Sequence, residues 1–385
     1  MATPQLAKIM TPKGHSPEPN REPHGMDYGR IQTIALVIIA FAVVLFLLVQ
    51  ARFMLIALAT AIIIFALTSD VINFIARQKI GRVHVPNWLA SLGALLLISL
   101  ALIVLSTIFL TQVNTVLSTT ISYLERAPQA VATLFKWISP EAEQTILNSL
   151  SSINISSYVR TFAGQAGNLA SGISSFTVLV ILFVGFLFAE RVWFDTKLNN
   201  LVGDPVQADK IRRIITSIIR RVNYYLLVKT VVSVVTGGMV FAVAKAFKLD
   251  LASALGVLTF VLNYIPNVGS IIATVMVALV AFVQTGDPTS TGAIFVITGA
   301  IQFVNGSILD PMMMGHALRV SSFGIIISLA FWGAVWGIPG MFLSVPIMVM
   351  LMVVCSHVPM LRPIAVLLSR QGLPDDESDL IANNL

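Results

Sequence analysis

Charge is what this sequence has least of. Only 11% of its 385 residues are Asp, Glu, Lys or Arg, against 56% apolar residues. Two stretches, 251–286 and 320–361, carry no such charge at all. So little polar surface cannot cover a chain of this length in water. Cysteine is nearly absent: Cys355 stands alone, which excludes an intrachain disulfide and a cysteine-based metal cluster. Catalytic signatures are missing as well. There is no His-Glu-x-x-His pair, no Gly-Lys-Ser/Thr phosphate loop, no Gly-x-Ser-x-Gly elbow and no pair of carboxylates within one apolar segment. The reading is therefore not an enzyme, with no catalytic residue, no metal ligand set and no cofactor, and nothing that would let this chain alone drive transport with ATP. His84, His316 and His357 are isolated near predicted interfaces, where structural roles are the commoner ones. The net charge of +6 lies in loops beside apolar runs, where it orients a chain in a bilayer, so nucleic acid is not an expected partner.

What is present is a series of long apolar runs. They specify an all-α polytopic membrane protein of about eight transmembrane segments, two of them interrupted or re-entrant, with a small helical extramembrane insert. Residues 1–30, rich in Pro and charge, read as a disordered cytoplasmic tail. Residues 31–111 hold segments one to three, and Arg77, Lys79 and Arg82 place the loop before the third in the cytoplasm. Residues 112–170 mix polar and apolar positions, with a helix start at Ser139-Pro140-Glu141, and form the outward, periplasmic insert. Segment four covers 171–189. Residues 190–221 are basic, cytoplasmic and amphipathic: Asp204-Pro205-Val206-Gln207 resembles a capping box, and an interfacial helix follows it. Residues 222–357 form a C-terminal transport region, and 362–385 a cytoplasmic tail. Both termini are thus expected inside, in a bacterial inner membrane. Lys229, in segment five, lies close enough to the cytoplasmic end to snorkel and reads as an anchor.

The interruptions carry the functional signal. Run 251–286 is broken by Asn263-Tyr264-Ile265-Pro266-Asn267-Val268-Gly269, and run 320–361 by Trp336-Gly337-Ile338-Pro339-Gly340. Broken helices survive in lipid only where protein or a polar cavity satisfies the freed backbone, so Pro266, Gly269, Gly337, Pro339 and Gly340 mark helix breaks or gates on a transport path. Each run could cross once or fold back as a re-entrant hairpin. Between the two, Gln302, Asn305 and Asp310 lie in one apolar span, followed by Pro311 and Gly315. Gln302 and Asn305 share a helix face, whereas Asp310 is offset from Gln302 by roughly 80°, which a kink at Pro311 could partly correct. These three line the expected substrate or ion path. The structural alternative is that the two amides join helices by hydrogen bonds. Asn263, Asn267 and Ser270 flank Pro266 and read first as half-helix caps, with Asn263 and Asn267 also placed on the path.

In order, Asn263-Tyr264-Ile265-Pro266-Asn267-Val268-Gly269, Gln302 with Asp310-Pro311-Met312-Met313-Met314-Gly315, Ser328-Leu329-Ala330-Phe331-Trp332-Gly333, Gly337-Ile338-Pro339-Gly340-Met341 and Val345-Pro346 resemble the signature of the autoinducer-2 exporter (AI-2E) family. The likeness covers most of the chain from the first segment onward. One departure is Ser321-Ser322, where similar sequences often carry Pro, which bears on the local helix start. The resemblance implies an inner-membrane secondary exporter, of the quorum-sensing signal autoinducer-2 in some members, with sodium or lithium/proton antiport attributed to others, and a homopentamer. The function expected on that basis is export of a small polar solute by alternating access. Two alternatives stand beside it: a Na⁺(Li⁺)/H⁺ antiporter working through Asp310, and a membrane scaffold that binds partners through its insert. The expected partners are a small polar solute or monovalent cation, the lipid bilayer, and further copies of the chain.

Overall fold

The computed structural model describes residues 28–77, 79–80, 83–84, 87–136, 155–314, 320–370 and 372. Apart from a two-residue hairpin, Lys79–Ile80 against Val83–His84, the regular structure among them is helical. The expected tail, the Ser139-Pro140-Glu141 helix start and Gly315 fall outside the described residues. Helix α1, Tyr28–Gln50, belongs as far as Leu48 to a unit of its own, and the chain from Val49 onward forms the second. Among the described residues seven helices are long and apolar enough to cross a membrane.

In the second unit α2 (Arg52–Arg77), α3 (Asn87–Lys136) and α4 (Ile155–Arg191) pack together. Alanines at 57, 61 and 94 let their backbones approach, and Ile98, Val180, Val184 and Phe188 fill the contact. Phe53 meets Phe176 and Phe65 meets Phe188 edge to face, so α2 and α4 run in the same direction. At 50 residues, α3 extends about 75 Å, well beyond a bilayer core of about 30 Å. The first stretch of the expected insert is thus a continuation of the third span, and its last stretch is the start of α4.

A short helix α5, Phe194–Val202, ends at Gly203, whose φ of 70° suits a residue without Cβ. Asp204 then accepts from the Val206 N–H at 3.0 Å, and Pro205 opens α6, Pro205–Ala246. The expected interfacial helix and fifth span are therefore one continuous helix of 42 residues. No Pro or Gly interrupts positions 206–236, so nothing in the sequence forces a break there.

Both interrupted runs fold back on themselves. α7 (Ala252–Leu262) and α8 (Val268–Thr285) form the first hairpin; α11 (Ser322–Trp336) and α12 (Ile338–His357) form the second. Between the hairpins come α9 (Pro288–Val304), a wide π turn (Asn305–Leu309) and α10 (Asp310–Met314). After the second lies α13, Arg362–Leu368. In the second hairpin Ser328 donates to the Ser344 carbonyl at 2.8 Å, and a Cβ on Gly340 would sit 2.0 Å from the Trp332 carbonyl oxygen. Both pairs are symmetric about Trp336, as an antiparallel fold-back requires. Gly337 makes the corner at φ 68°, ψ −146°, a region only glycine occupies readily. In the first hairpin a Cβ on Gly269 would meet the Leu262 carbonyl oxygen at 1.7 Å. The turn closes through a bond of 2.6 Å from the Val268 N–H to the Pro266 carbonyl, with Asn267 at φ 60°. The short arms, of 11 and 15 residues, reach about 16 and 22 Å, less than a bilayer core, so each folded-back run has the dimensions of a re-entrant hairpin on its short side, while its long arm is long enough to cross.

Partner positions fix the directions. Thr230 meets Tyr264 and Gly237 meets Gly256, so α6 and α7 are antiparallel. Lys229 meets Asp310, while Val240 and Ala244 share a core cluster with Ile294, so α6 and α9 are antiparallel too. The first hairpin follows the C-terminal end of α6 and the second follows the C-terminal end of α9. They consequently enter from opposite ends of the bundle. Their tips meet: Tyr264 stacks on Phe342 with ring centroids 4.5 Å apart, and Leu262 and Ile265 pack with Leu329 and Met341.

Candidate functional site

Three residues of α6, Tyr225, Lys229 and Ser233, recur four apart and so share one helix face. That face is buried, with Lys229 only 3% exposed. The end of α9 and the tip of the first hairpin oppose it. The Lys229 ammonium donates to Asp310 Oδ2 at 2.7 Å. One turn further along α6, Ser233 Oγ accepts from Asn263 Nδ2 at 3.0 Å, and Asn263 Oδ1 accepts from Asn305 Nδ2 at 2.7 Å. Thr230 and the Tyr264 hydroxyl, 2.7 Å apart, flank this chain. A continuous polar seam therefore runs from α6 through the first hairpin tip to α9, between otherwise apolar helices.

The π turn is what places Asp310. Its N–H bonds to the Asn305 carbonyl, five residues back, so one extra residue is accommodated before the regular helix resumes. That residue subtracts about 100° from the helical offset and brings Asp310 within about 20° of Gln302. Pro311 supplies the reason: it has no N–H for the Ser307 carbonyl, and its ring would collide with a regular preceding turn. The expected realignment of Asp310 thus occurs, through a widened turn.

The seam holds more polar groups than it pairs. Gln302 Oε1, Asn305 Oδ1 and Asp310 Oδ1 are buried without a hydrogen-bond partner among the described residues, as are the hydroxyls of Tyr225 and Thr259. Each such orphan costs about 1–3 kcal/mol relative to a satisfied group. A cluster of them along one seam is what a binding site presents before its ligand supplies the missing bonds.

Of the residues singled out from sequence, Gln302, Asn305, Asp310 and Asn263 come together here. Asn267 does not: it is exposed at the turn, and its side chain makes no cap. Asn263 stands at the C-cap of α7, its backbone N–H bonding back to the Thr259 carbonyl, while its side-chain amide is committed to Ser233 and Asn305. Ser270 contributes a backbone carbonyl to Thr274. Pro266, Gly269, Gly337, Pro339 and Gly340 lie at the two hairpin corners, and Pro311 lies in α10. Ser321 caps α11, accepting from the Gly324 N–H at 3.0 Å, so the start of that helix needs no proline.

Lys229 corrects the sequence reading. It does not snorkel; it is buried and bound to Asp310. A lone cation in the apolar stretch 222–244, with a lone acid in a later apolar span, was the available signal, but their pairing depends on the antiparallel contact of α6 with α9. Ser233 and Tyr225 carried no signal, since hydroxyls are common in apolar helices.

At the far end, where the first hairpin is rooted, Gln284 Oε1 accepts from the Tyr123 hydroxyl at 2.7 Å and from the Asp250 N–H at 2.8 Å. Its Nε2 donates to the Lys248 carbonyl at 2.9 Å. Burial, then the nearby Asp250 carboxylate, pushes the Tyr123 phenol up to about 12, so it stays a neutral donor. The extension of α3 is in this way fastened to the base of that hairpin.

A family model described as AI-2E family transporter matches residues 34–360. The AI-2 transport protein TqsA of Escherichia coli is 33% identical over 243 residues, 62% of this chain and 64% of that protein. A putative transport protein of Haemophilus influenzae is 30% identical over 292 residues, covering 72% of this chain and 80% of its own length. Another from Borreliella burgdorferi is 32% identical over 229 residues, 59% of this chain and 62% of its own. In two of these three the matched stretch is under two thirds of the relative. The match spans all the elements that build the seam and both hairpins, and the chain belongs to the AI-2E family of membrane transporters.

Proposed function

We propose that this chain is a secondary transporter that exports a small polar solute across the bacterial inner membrane by alternating access. The observation that carries the reading is the meeting of two re-entrant hairpin tips beside the polar seam. Hairpins entering from opposite ends give each side of the membrane its own gate, with ligand groups between them. Gln302, Asn305 and Asp310 offer the solute acceptor oxygens, Asn263 links them to the moving tip, and Tyr264 against Phe342 closes the path when both gates are shut. One relative's name, AI-2 transport protein, makes autoinducer-2 the first solute to try.

The test is reconstitution of the purified protein into liposomes, with flux of labelled autoinducer-2 measured beside Na⁺/H⁺ exchange, for wild type and Asp310→Asn. Solute flux that falls at least tenfold in the variant, without cation exchange, is the expected result. Cation exchange abolished by Asp310→Asn would replace the exporter with an antiporter. Solute flux unchanged in a variant inserted at normal amounts would remove Asp310 from the path.

A further inference from the structure

Asp310 is occupied on one oxygen and open on the other: Oδ2 holds the Lys229 ammonium at 2.7 Å, while Oδ1 is buried without a partner. Gln302 Oε1 and Asn305 Oδ1 on the same helix are open as well, at residues 6% and 1% exposed. A carboxylate and two amide oxygens along one seam are hard acceptors, the kind of oxygens a small cation takes. The one positive charge this set needs is already there, on a tether. Lys229 projects from α6, its side chain is 3% exposed, and Asp310 is the one partner it has among the described residues.

We infer that Lys229 is a specificity-determining residue, the resident cation of the seam, whose charge on Asp310 keeps free monovalent cations out. The open oxygens are then left for a ligand that donates hydrogen bonds without bringing net charge. The physical basis is occupancy and repulsion. A second unit charge placed about 4 Å from the ammonium, at the effective dielectric of a protein site, loses on the order of a thousandfold in affinity. Conversely, a part-buried carboxylate with one oxygen fully buried, stripped of its ammonium, is a poorly compensated charge, and a cation of fitting size relieves it. Lys229 is therefore expected to decide between two classes of ligand without touching the open oxygens itself. This rests on the seam being the ligand site, and it makes a prediction that solute flux does not enter.

The experiment is thermal unfolding of the full-length protein in detergent at constant ionic strength, with choline chloride replaced in turn by NaCl, LiCl and KCl. Wild type, Lys229→Met and the double variant Lys229→Met/Asp310→Asn are compared. Wild type should melt at one temperature in all four salts. Lys229→Met should gain about 2–4 °C in at least one small cation over choline, and the double variant should lose that response. Should Lys229→Met fail to fold, Lys229→Gln, which keeps a donor toward Asp310, takes its place with the same expectation. A cation-specific shift in wild type that Asp310→Asn abolishes would overturn the inference. So would a folded Lys229 variant that melts alike in every salt. The outcome is separable from the transport reading: Asp310→Asn could leave solute flux intact while the salt response of Lys229→Met stands, or the reverse.

Discussion

An ion pair between a buried ammonium, Lys229, and a part-buried carboxylate, Asp310, sets the energetics at the residue scale. Removing one partner leaves the other charge poorly compensated, at a cost below the ~3–5 kcal/mol of a fully buried pair, whereas removing both charges can be nearly neutral. Lys229→Met in choline should therefore lower the unfolding temperature sharply, and Lys229→Met/Asp310→Asn should recover most of the loss. A double-mutant cycle by thermal unfolding reads the coupling, and additive effects would deny the pair. The glycines make a second residue-scale contrast. A Cβ at Gly237 would sit 2.8 Å from the Gly256 carbonyl oxygen, while Gly238, next to it, has open space. Gly237→Ala must push α6 off α7 and should be destabilising by several kcal/mol, in keeping with overpacking against backbone. Gly238→Ala should instead stabilise by up to about 1 kcal/mol through helix propensity. The measurement is the same melt in detergent, and equal effects at the two positions would contradict the close α6–α7 contact. Asp310 and its amide neighbours were legible in the sequence because polar groups stand out in an apolar span. Lys229 stood out too, yet distance from the span end suggested an anchor, because partners 81 residues apart leave no local trace.

Caps and corners govern the elements. Asp287 opens α9 by accepting from the Thr289 and Ser290 N–H groups at 3.1 and 2.9 Å. The Ser290 hydroxyl first, then the Ser290 and Thr289 N–H groups, hold its carboxyl below the usual range. A carboxyl depressed in the folded state contributes stability that is present above its unfolded value of about 3.9 and lost as pH falls through the folded value. Asp287→Ala should thus lower the melting temperature slightly at pH 7 and make no difference well below pH 4, as a pH series of melts would reveal. A deficit that persists undiminished in acid would assign the effect to something other than the cap. The hairpin corners were legible as breaks, from Pro266 and from Gly337-Ile338-Pro339-Gly340, since no straight apolar helix accommodates them. Whether the chain crossed or returned was not legible. That depended on Gly269 and Gly340 letting backbones touch, which is a property of two facing helices.

Over the whole molecule, the hairpin tips should move relative to one another during transport if the proposed gates are real. Tyr264→Cys with Phe342→Cys, in a Cys355→Ser background, puts thiols at the two positions whose rings now stack with centroids 4.5 Å apart. A short bifunctional thiol reagent with a cleavable disulfide, filling the space the rings leave, should link the tips, reduce solute flux at least tenfold in proteoliposomes, and reverse with reductant. Full flux in the linked protein would mean that the tips stay together throughout the cycle.

The sequence by itself determined the class of the molecule: a shortage of charge and a surplus of long apolar runs leave a chain no stable place but a bilayer, and local chemistry marks where helices must stop. It also marked Gln302, Asn305 and Asp310, since an isolated polar group in lipid needs a reason. Only the tertiary structure decided that both interrupted runs fold back, that they enter from opposite ends and meet, and that Lys229 answers Asp310. Those outcomes rest on antiparallel contacts between segments far apart in the chain, where backbone approach and charge pairing are settled by packing rather than by local preference.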